Sequence, residues 1–285
     1  MTTARKTQII VAITAVVLFV LLFLAPKKHT QQKEETAMAK EADGHDHNHE
    51  SEASVEPFLT IAVKSLGLKE KTNLDDLLAA AQKSTVDTAY VPVVQFWDKL
   101  KRPDFASFYV EKIADRSQTS LAYTKAGDRY FYAIRFIKEP NEIGALYQSA
   151  MRCYQKALDK DPKNVEAKIQ LAACYVEGSP DPMKGIGLLK EVEKVDSNNV
   201  KLQLSFAFFS VKSGQWDKAI KRFENVLKID PLYIEAYLHL ADAYEQQGQD
   251  AKTIEMLQKY AQLTQDATAK QEVLKYIEQL KLKTK

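Results

Sequence analysis

The residues best suited to chemistry lie close together near the start of the chain, in His45-Asp46-His47-Asn48-His49-Glu50. Alternating imidazole and carboxylate donors suit a late transition metal such as zinc, nickel or copper, with His45, His47 and His49 as its ligands. Residues 27–56 around them contain one Met, one Val and no aromatic residue. Such a tract cannot offset the entropy of ordering, so it reads as a disordered tether in which any metal is held weakly and exchangeably. The same composition suits a plain hydrophilic spacer, and both readings stand. The one histidine after residue 50, His239, has no evident acid or base partner in the sequence. Cys153 and Cys174 are too few for a disulfide scaffold and read as small buried apolar residues, although pairing between them is left open. No GxSxG, HExxH, P-loop, GxGxxG or CxxC pattern occurs, so neither catalysis nor a small-molecule substrate is expected.

Composition narrows the classes further. Of 285 residues, 45% are hydrophobic, and Lys+Arg 40 nearly balances Asp+Glu 38. That excludes a wholly disordered chain and argues against a dedicated nucleic-acid binder, which concentrates one sign of charge. Only 9 Gly and 9 Pro point toward helices.

After a short tail at residues 1–6, residues 7–26 carry no charged side chain. Twenty residues rising about 1.5 Å each span roughly 30 Å, the thickness of a bilayer's hydrocarbon core. A cleaved signal peptide has a shorter apolar run and a small residue three before its cleavage site, where this chain has Phe23. A single-pass transmembrane helix is therefore expected. Arg5 and Lys6 before it nearly balance Lys27 and Lys28 after it, so charge decides orientation weakly. The short tail favours placing the bulk of the chain outside the cytoplasm.

The elements that follow repeat. Gly214 and Gly248 stand thirty-four residues apart, as do Ala219 and Thr253, Phe223 and Leu257, and Val226 and Tyr260. Earlier, Gly185, Leu189 and Val192 fall in the same slots, and before them Ala150, Tyr154 and Ala157. A period near thirty-four residues with small, aromatic and Pro positions resembles the tetratricopeptide repeat, TPR, a unit of two antiparallel helices A and B. Ala207, Ala219 and Ala241 are expected where the two backbones approach, with Phe206, Phe223, Leu240, Tyr244 and Leu257 filling the space between units. Gly214 and Gly248 read as left-handed caps ending helix A, and Asp161-Pro162 and Asp230-Pro231 as stops of helix B. Asp181-Pro182 reads instead as an N-cap followed by Pro in the first turn.

The expected fold is an all-α TPR solenoid, a right-handed superhelix of about four to five helix pairs over residues 86–266. Trp97 is the helix A aromatic of the first repeat. The repeat near 120–164 carries an insertion around 138–143, with helix B at 144–159. Residues 57–85 read as a helical segment of uncertain role, and 267–285 as a solvating cap with Val273, Leu274, Ile277 and Leu280 apolar. By these features the chain resembles bacterial single-pass, membrane-anchored TPR proteins of the cell envelope, which include assembly factors. That resemblance implies a non-enzymatic scaffold, anchored in the inner membrane with a periplasmic domain, holding a protein or peptide in a concave groove.

In that family the groove is lined by positions 2, 5, 9, 12 and 13 of helix A. Here these are Lys201, Leu204, Phe208, Val211 and Lys212, then Glu235, Leu238, Asp242, Glu245 and Gln246. In the first repeat they are Thr88, Val91, Gln95, Asp98 and Lys99; Gln170, Cys174 and Glu177 are the candidates before residue 200. The Lys and Asn clamp with which chaperone-binding TPR proteins hold a terminal carboxylate is absent, since Leu204, Phe208, Leu238 and Asp242 stand there. An apolar strip beside Glu235, Asp242 and Glu245 suits a peptide carrying basic residues. Alternatively, Phe206, Phe208 and Phe209 pack between helices. Two further functions are carried forward: a TPR receptor facing the cytoplasm, and a metal-handling protein whose histidine arm is docked by the repeats.

Overall fold

The computed structural model describes residues 54–283, which belong to one compact unit. The span expected at 7–26 and the histidine set lie outside the described residues. Among those described, no helix is long and apolar enough to cross a membrane.

Thirteen α-helices follow one another, with no strand among the described residues. Two leading helices, α1 (Glu56–Ser65) and α2 (Leu68–Lys83), precede five pairs. Helix α1 begins at the last residue of the expected tether, and Val55 before it is fully buried. The pairs are α3 (Val91–Lys99) with α4 (Pro103–Ser117), α5 (Ser120–Ala133) with α6 (Pro140–Lys160), and α7 (Val165–Gly178) with α8 (Pro182–Val195). They continue with α9 (Val200–Lys212) and α10 (Trp216–Ile229), then α11 (Glu235–Gln246) and α12 (Asp250–Leu263); α13 (Ala267–Lys283) closes the series. From α2 onward each helix packs on the next, which is the connectivity of a TPR solenoid. The segment of uncertain role at 57–85 supplies Leu59, Leu74 and Ala81 to the core.

Short polar residues set the boundaries. Asn164 and Asn199 precede α7 and α9, and their side chains accept from the N–H of Ala167 at 2.9 Å and Leu202 at 3.1 Å. Asp161, Asp196 and Asp230 end the B helices, each carboxylate accepting the backbone N–H two residues on. Asp181 occupies the N-cap position of α8 but makes no capping bond; it lies 3.6 Å from Lys184.

Three of the A helices, α3, α9 and α11, close on left-handed residues. After α9, Gln215 N–H reaches Ser210 O and Gly214 N–H reaches Val211 O, with Gly214 at φ +68°. After α11 the same pair of bonds joins Gln249 to Tyr244 and Gly248 to Glu245. This double bond pattern satisfies carbonyls that the helix end leaves over, and it needs a positive φ.

Small residues bring the paired helices together. Ala207, Ala219 and Ala241 are buried, and a Cβ on Gly185 would stand 2.4 Å from Ala172 O, so α8 lies directly on the backbone of α7. The insertion expected around 138–143 is mostly helical. A 3-10 turn (Ile134–Phe136) follows α5, and α6 starts at Pro140, so the B helix is 21 residues long rather than the 16 expected. Pro140 at the first turn begins a helix at no hydrogen-bond cost, which is why extra residues there lengthen it.

One core cluster runs from Val55 to Cys174 through the first seven helices, built on Trp97, Phe105, Tyr130 and Tyr154. Farther on the core is divided into three smaller clusters at successive repeat junctions. In the cap, Ile277 and Leu280 are buried, whereas Leu274 turns outward.

Candidate functional site

The A-helix face is assembled from α5, α7, α9 and α11. Helix α9 is fastened to α7 at both ends: Lys201 Nζ lies 2.7 Å from Glu166 Oε2, and Lys212 Nζ donates to Val176 O at 3.1 Å. Between those ties, Leu204 and Val211 are half-buried and pack on the cluster of Ala207, Phe223, Leu240 and Tyr244. Phe208 behaves differently from its neighbours. Phe206 and Phe209 are buried, while Phe208 is 42% exposed. Its ring meets the edge of His239 at 4.9 Å and of Phe223 at 5.6 Å, and His239 stacks on Phe223 at 5.1 Å. The three rings form a ledge across the junction of the last two repeats. Aromatic pairs in these geometries add about 0.5–1.5 kcal/mol each beyond burial.

Burial lowers the pKa of His239, against the opposing pull of Asp242 and Glu235. The imidazole is therefore neutral at physiological pH and serves as an aromatic surface. Asp242 and Glu235 are exposed on either side of it, one turn apart along α11 from His239. Leu238 is half-buried against Ala241 and Leu257. Glu245 accepts from the Tyr276 hydroxyl of α13, so the cap already engages that carboxylate.

Of the strip expected from sequence, Leu204, Val211 and Leu238 thus contribute mainly to repeat packing, and Phe208 is what the face presents. In α3, Val91 and Gln95 are exposed and Asp98 pairs with Arg129 at 2.6 Å; Thr88 precedes the helix, on a 3-10 turn. Cys174 is corrected: it is fully buried in α7, since it falls on the helix face turned to the core. Aligning the capping residues Asn164 and Asn199 puts Ala173, not Cys174, opposite Phe208, and Glu166 opposite Lys201. That alignment was available in the sequence. Cys153 is likewise buried, and both cysteines are free, with burial raising both thiols well above their ordinary range.

Asp128 on α5 was not anticipated as part of this face. It accepts from Tyr154 Oη at 2.8 Å, and burial raises its pKa, with Glu166 reinforcing and Tyr154 and Lys201 opposing. Among the described residues no group of three His, Cys, Asp or Glu could hold a metal. The arrangement offers an aromatic ledge between carboxylates, which suits recognition of a cationic or apolar segment.

Two family descriptions match the chain: "TPR repeat" over residues 211–248 and "Tetratricopeptide repeat" over residues 235–263. Residues 211–263 therefore carry tetratricopeptide repeats, with α10 and α12 as their B helices. No curated protein matches the chain. Among solved structures, YrrB, described as a TPR protein with an unusual peptide-binding site, is 19% identical, with a TM-score of 0.43 over 69% of this chain and 96% of its own. MamA from Desulfovibrio magneticus RS-1 is 16% identical, with a TM-score of 0.46 over 64% of this chain and 97% of its own. Yeast Tom70 is 16% identical, with a TM-score of 0.43 over 70% of this chain and 47% of its own.

Proposed function

We propose that this tetratricopeptide-repeat chain is a non-enzymatic scaffold that captures a protein partner on its A-helix face while a membrane span at residues 7–26 holds it at a bilayer. The observation that carries the reading is Phe208. A large apolar ring left 42% exposed beside half-buried His239, between Glu235 and Asp242, is a recognition surface without a ligand chemistry of its own. The partner it suits is an extended or helical segment with a basic residue next to an apolar one. Anchoring raises the local concentration of such a partner near the membrane.

In the reading we favour, the anchor is single-pass in a bacterial inner membrane and the repeats face the periplasm, where the scaffold serves assembly of an envelope complex. Support comes from the uncharged run at 7–26 and the short tail before it. The His45, His47 and His49 tract adds weak metal capture at most, and its removal leaves partner capture intact.

The experiment is crosslinking from intact membranes with the full chain, comparing the natural protein with Phe208→Ser and Asp242→Lys. Expected is one stoichiometric envelope protein, lost in both variants while helical content by circular dichroism is unchanged. Recovery that ignores both substitutions overturns the A-helix face as the site. Recovery of cytosolic proteins alone reverses the orientation.

A further inference from the structure

A second concavity lies away from the ledge. Helices α8 and α10 are the B helices of successive repeats, and between them, with α9 as floor, is a cleft of about 970 Å³. Of the residues at α9 that reach it, Phe206, Phe209, Ser210 and Ser213 lie about half a turn around the helix from Leu204, Phe208 and Val211, while Lys212 at the helix end borders both faces. Apart from Lys212, cleft and ledge therefore occupy opposite sides of one helix.

The repeat alignment explains why the cleft is open. Three residues before Ala150, Gly185 and Ala219 stand Tyr147, Pro182 and Trp216. Tyr147 covers Gly178, whose Cβ would meet its ring at 2.1 Å, and Trp216 packs on the core of the last two repeats. At the junction between them the ring is replaced by Pro182, and the space it would occupy stays empty beside Ser213. Met183, 66% exposed, and Ile186 line the same wall.

The rim is of one charge. Lys190, Lys212, Lys218, Lys221 and Arg222 line the cleft, and among the described residues no carboxylate does. Arg222 is neutralised by Glu193 and lies 4.2 Å over the Phe206 ring. Among the described residues Lys212 and Lys218 bond to neutral oxygens, of Val176 and Gln215. Lys190 and Lys221 are exposed and enter no ion pair among the described residues. On α10, Lys218, Lys221, Arg222 and Asn225 follow one helical stripe over roughly 10 Å. Cations strung along a trough suit several carboxylates in series better than one head group, and the apolar floor suits a side chain between them.

We propose that this cleft is a second recognition site, for an acidic peptide segment of a partner protein in which an apolar side chain is flanked by carboxylates. It is independent of the ledge, so the chain can hold two segments at once. The test uses the full chain in detergent and a fluorescein-labelled synthetic peptide built of Glu-Leu-Glu units, read by anisotropy. The peptide binds, its affinity falls with ionic strength, and Lys190→Glu with Lys221→Glu weakens it by about tenfold or more. Pro182→Tyr, which restores the missing ring, weakens it comparably, and Phe208→Ser leaves it unchanged. Absence of binding overturns the proposal, as does equal binding of the Gln-Leu-Gln counterpart. Loss in Phe208→Ser alone also overturns it, by moving the peptide to the ledge. Anionic phosphatidylglycerol vesicles that bind through Lys190 and Lys221 when the peptide does not would assign the cleft to lipid and overturn it too.

Discussion

Glu111 and Glu142 lie in the same half of the solenoid, and their surroundings pull them in opposite directions. Burial alone raises Glu111, but bonds from Arg152 and Tyr130 and the charge of Lys156 outweigh it, so its pKa is lowered. Its oxygens accept from Tyr130 Oη at 2.9 Å and from Arg152 Nη2 at 3.1 Å, joining α4, α5 and α6. A lowered carboxylate stabilises the fold above its unfolded value near 4.5, and the gain is lost as pH falls through the folded value. Glu111→Gln should therefore cost about 2–4 kcal/mol in urea denaturation at neutral pH, and less in acid. A cost constant with pH would assign the effect to packing. Glu142 is raised to about 7, by burial first and then by the hydrogen bond and charge of Asp104, despite Arg102 at 3.0 Å. Its contribution is complete below pH 4.5 and disappears as pH rises through about 7. Glu142→Gln, which keeps the protonated form's shape, should flatten that part of the melting-temperature profile and stabilise the protein on its alkaline side.

At the scale of elements, the turn between A and B helices separates what was legible from what was not. Gly214 and Gly248 announced themselves by spacing, and both adopt the expected left-handed φ. The first repeat makes the same turn with Lys101 at φ 57°: Arg102 N–H bonds to Trp97 O and Lys101 N–H to Asp98 O. No glycine marks it, so the sequence concealed an identical turn. Lys101→Gly should stabilise by about 0.5–1 kcal/mol, and Gly214→Ala should destabilise by about 1 kcal/mol. Nothing lies within 4 Å of the Cβ position at Gly214, so a neutral outcome there would mean that the backbone relaxes. The helices, their caps and the small residues at their crossings were legible because each is a local preference repeated at a fixed interval. For Phe208 the helix position indicated the groove but left packing between helices open, because three phenylalanines within four residues are distinguished only by which neighbour each one meets.

For the whole molecule, the division of the core decides how it comes apart. Each repeat is stabilised mainly by its neighbours, so the terminal one depends on its cap. Helix α13 contributes Ile277 and Leu280 to the last cluster, with Ala241 and Leu257. Burial of two such side chains is worth about 3–6 kcal/mol. Deleting residues 267–285 should raise hydrogen exchange in α11 and α12 while α4 to α7 stay protected; uniform loss of protection would show a single cooperative unit. The continuous core from Val55 to Cys174 beside three small ones has a mechanical corollary. Under load the described residues before Cys174 should deform less than the repeats after it, among which the Phe208 ledge lies. Small strains at each junction there should add along the described repeats, so the proposed partner surface should yield more readily than the residues before Cys174.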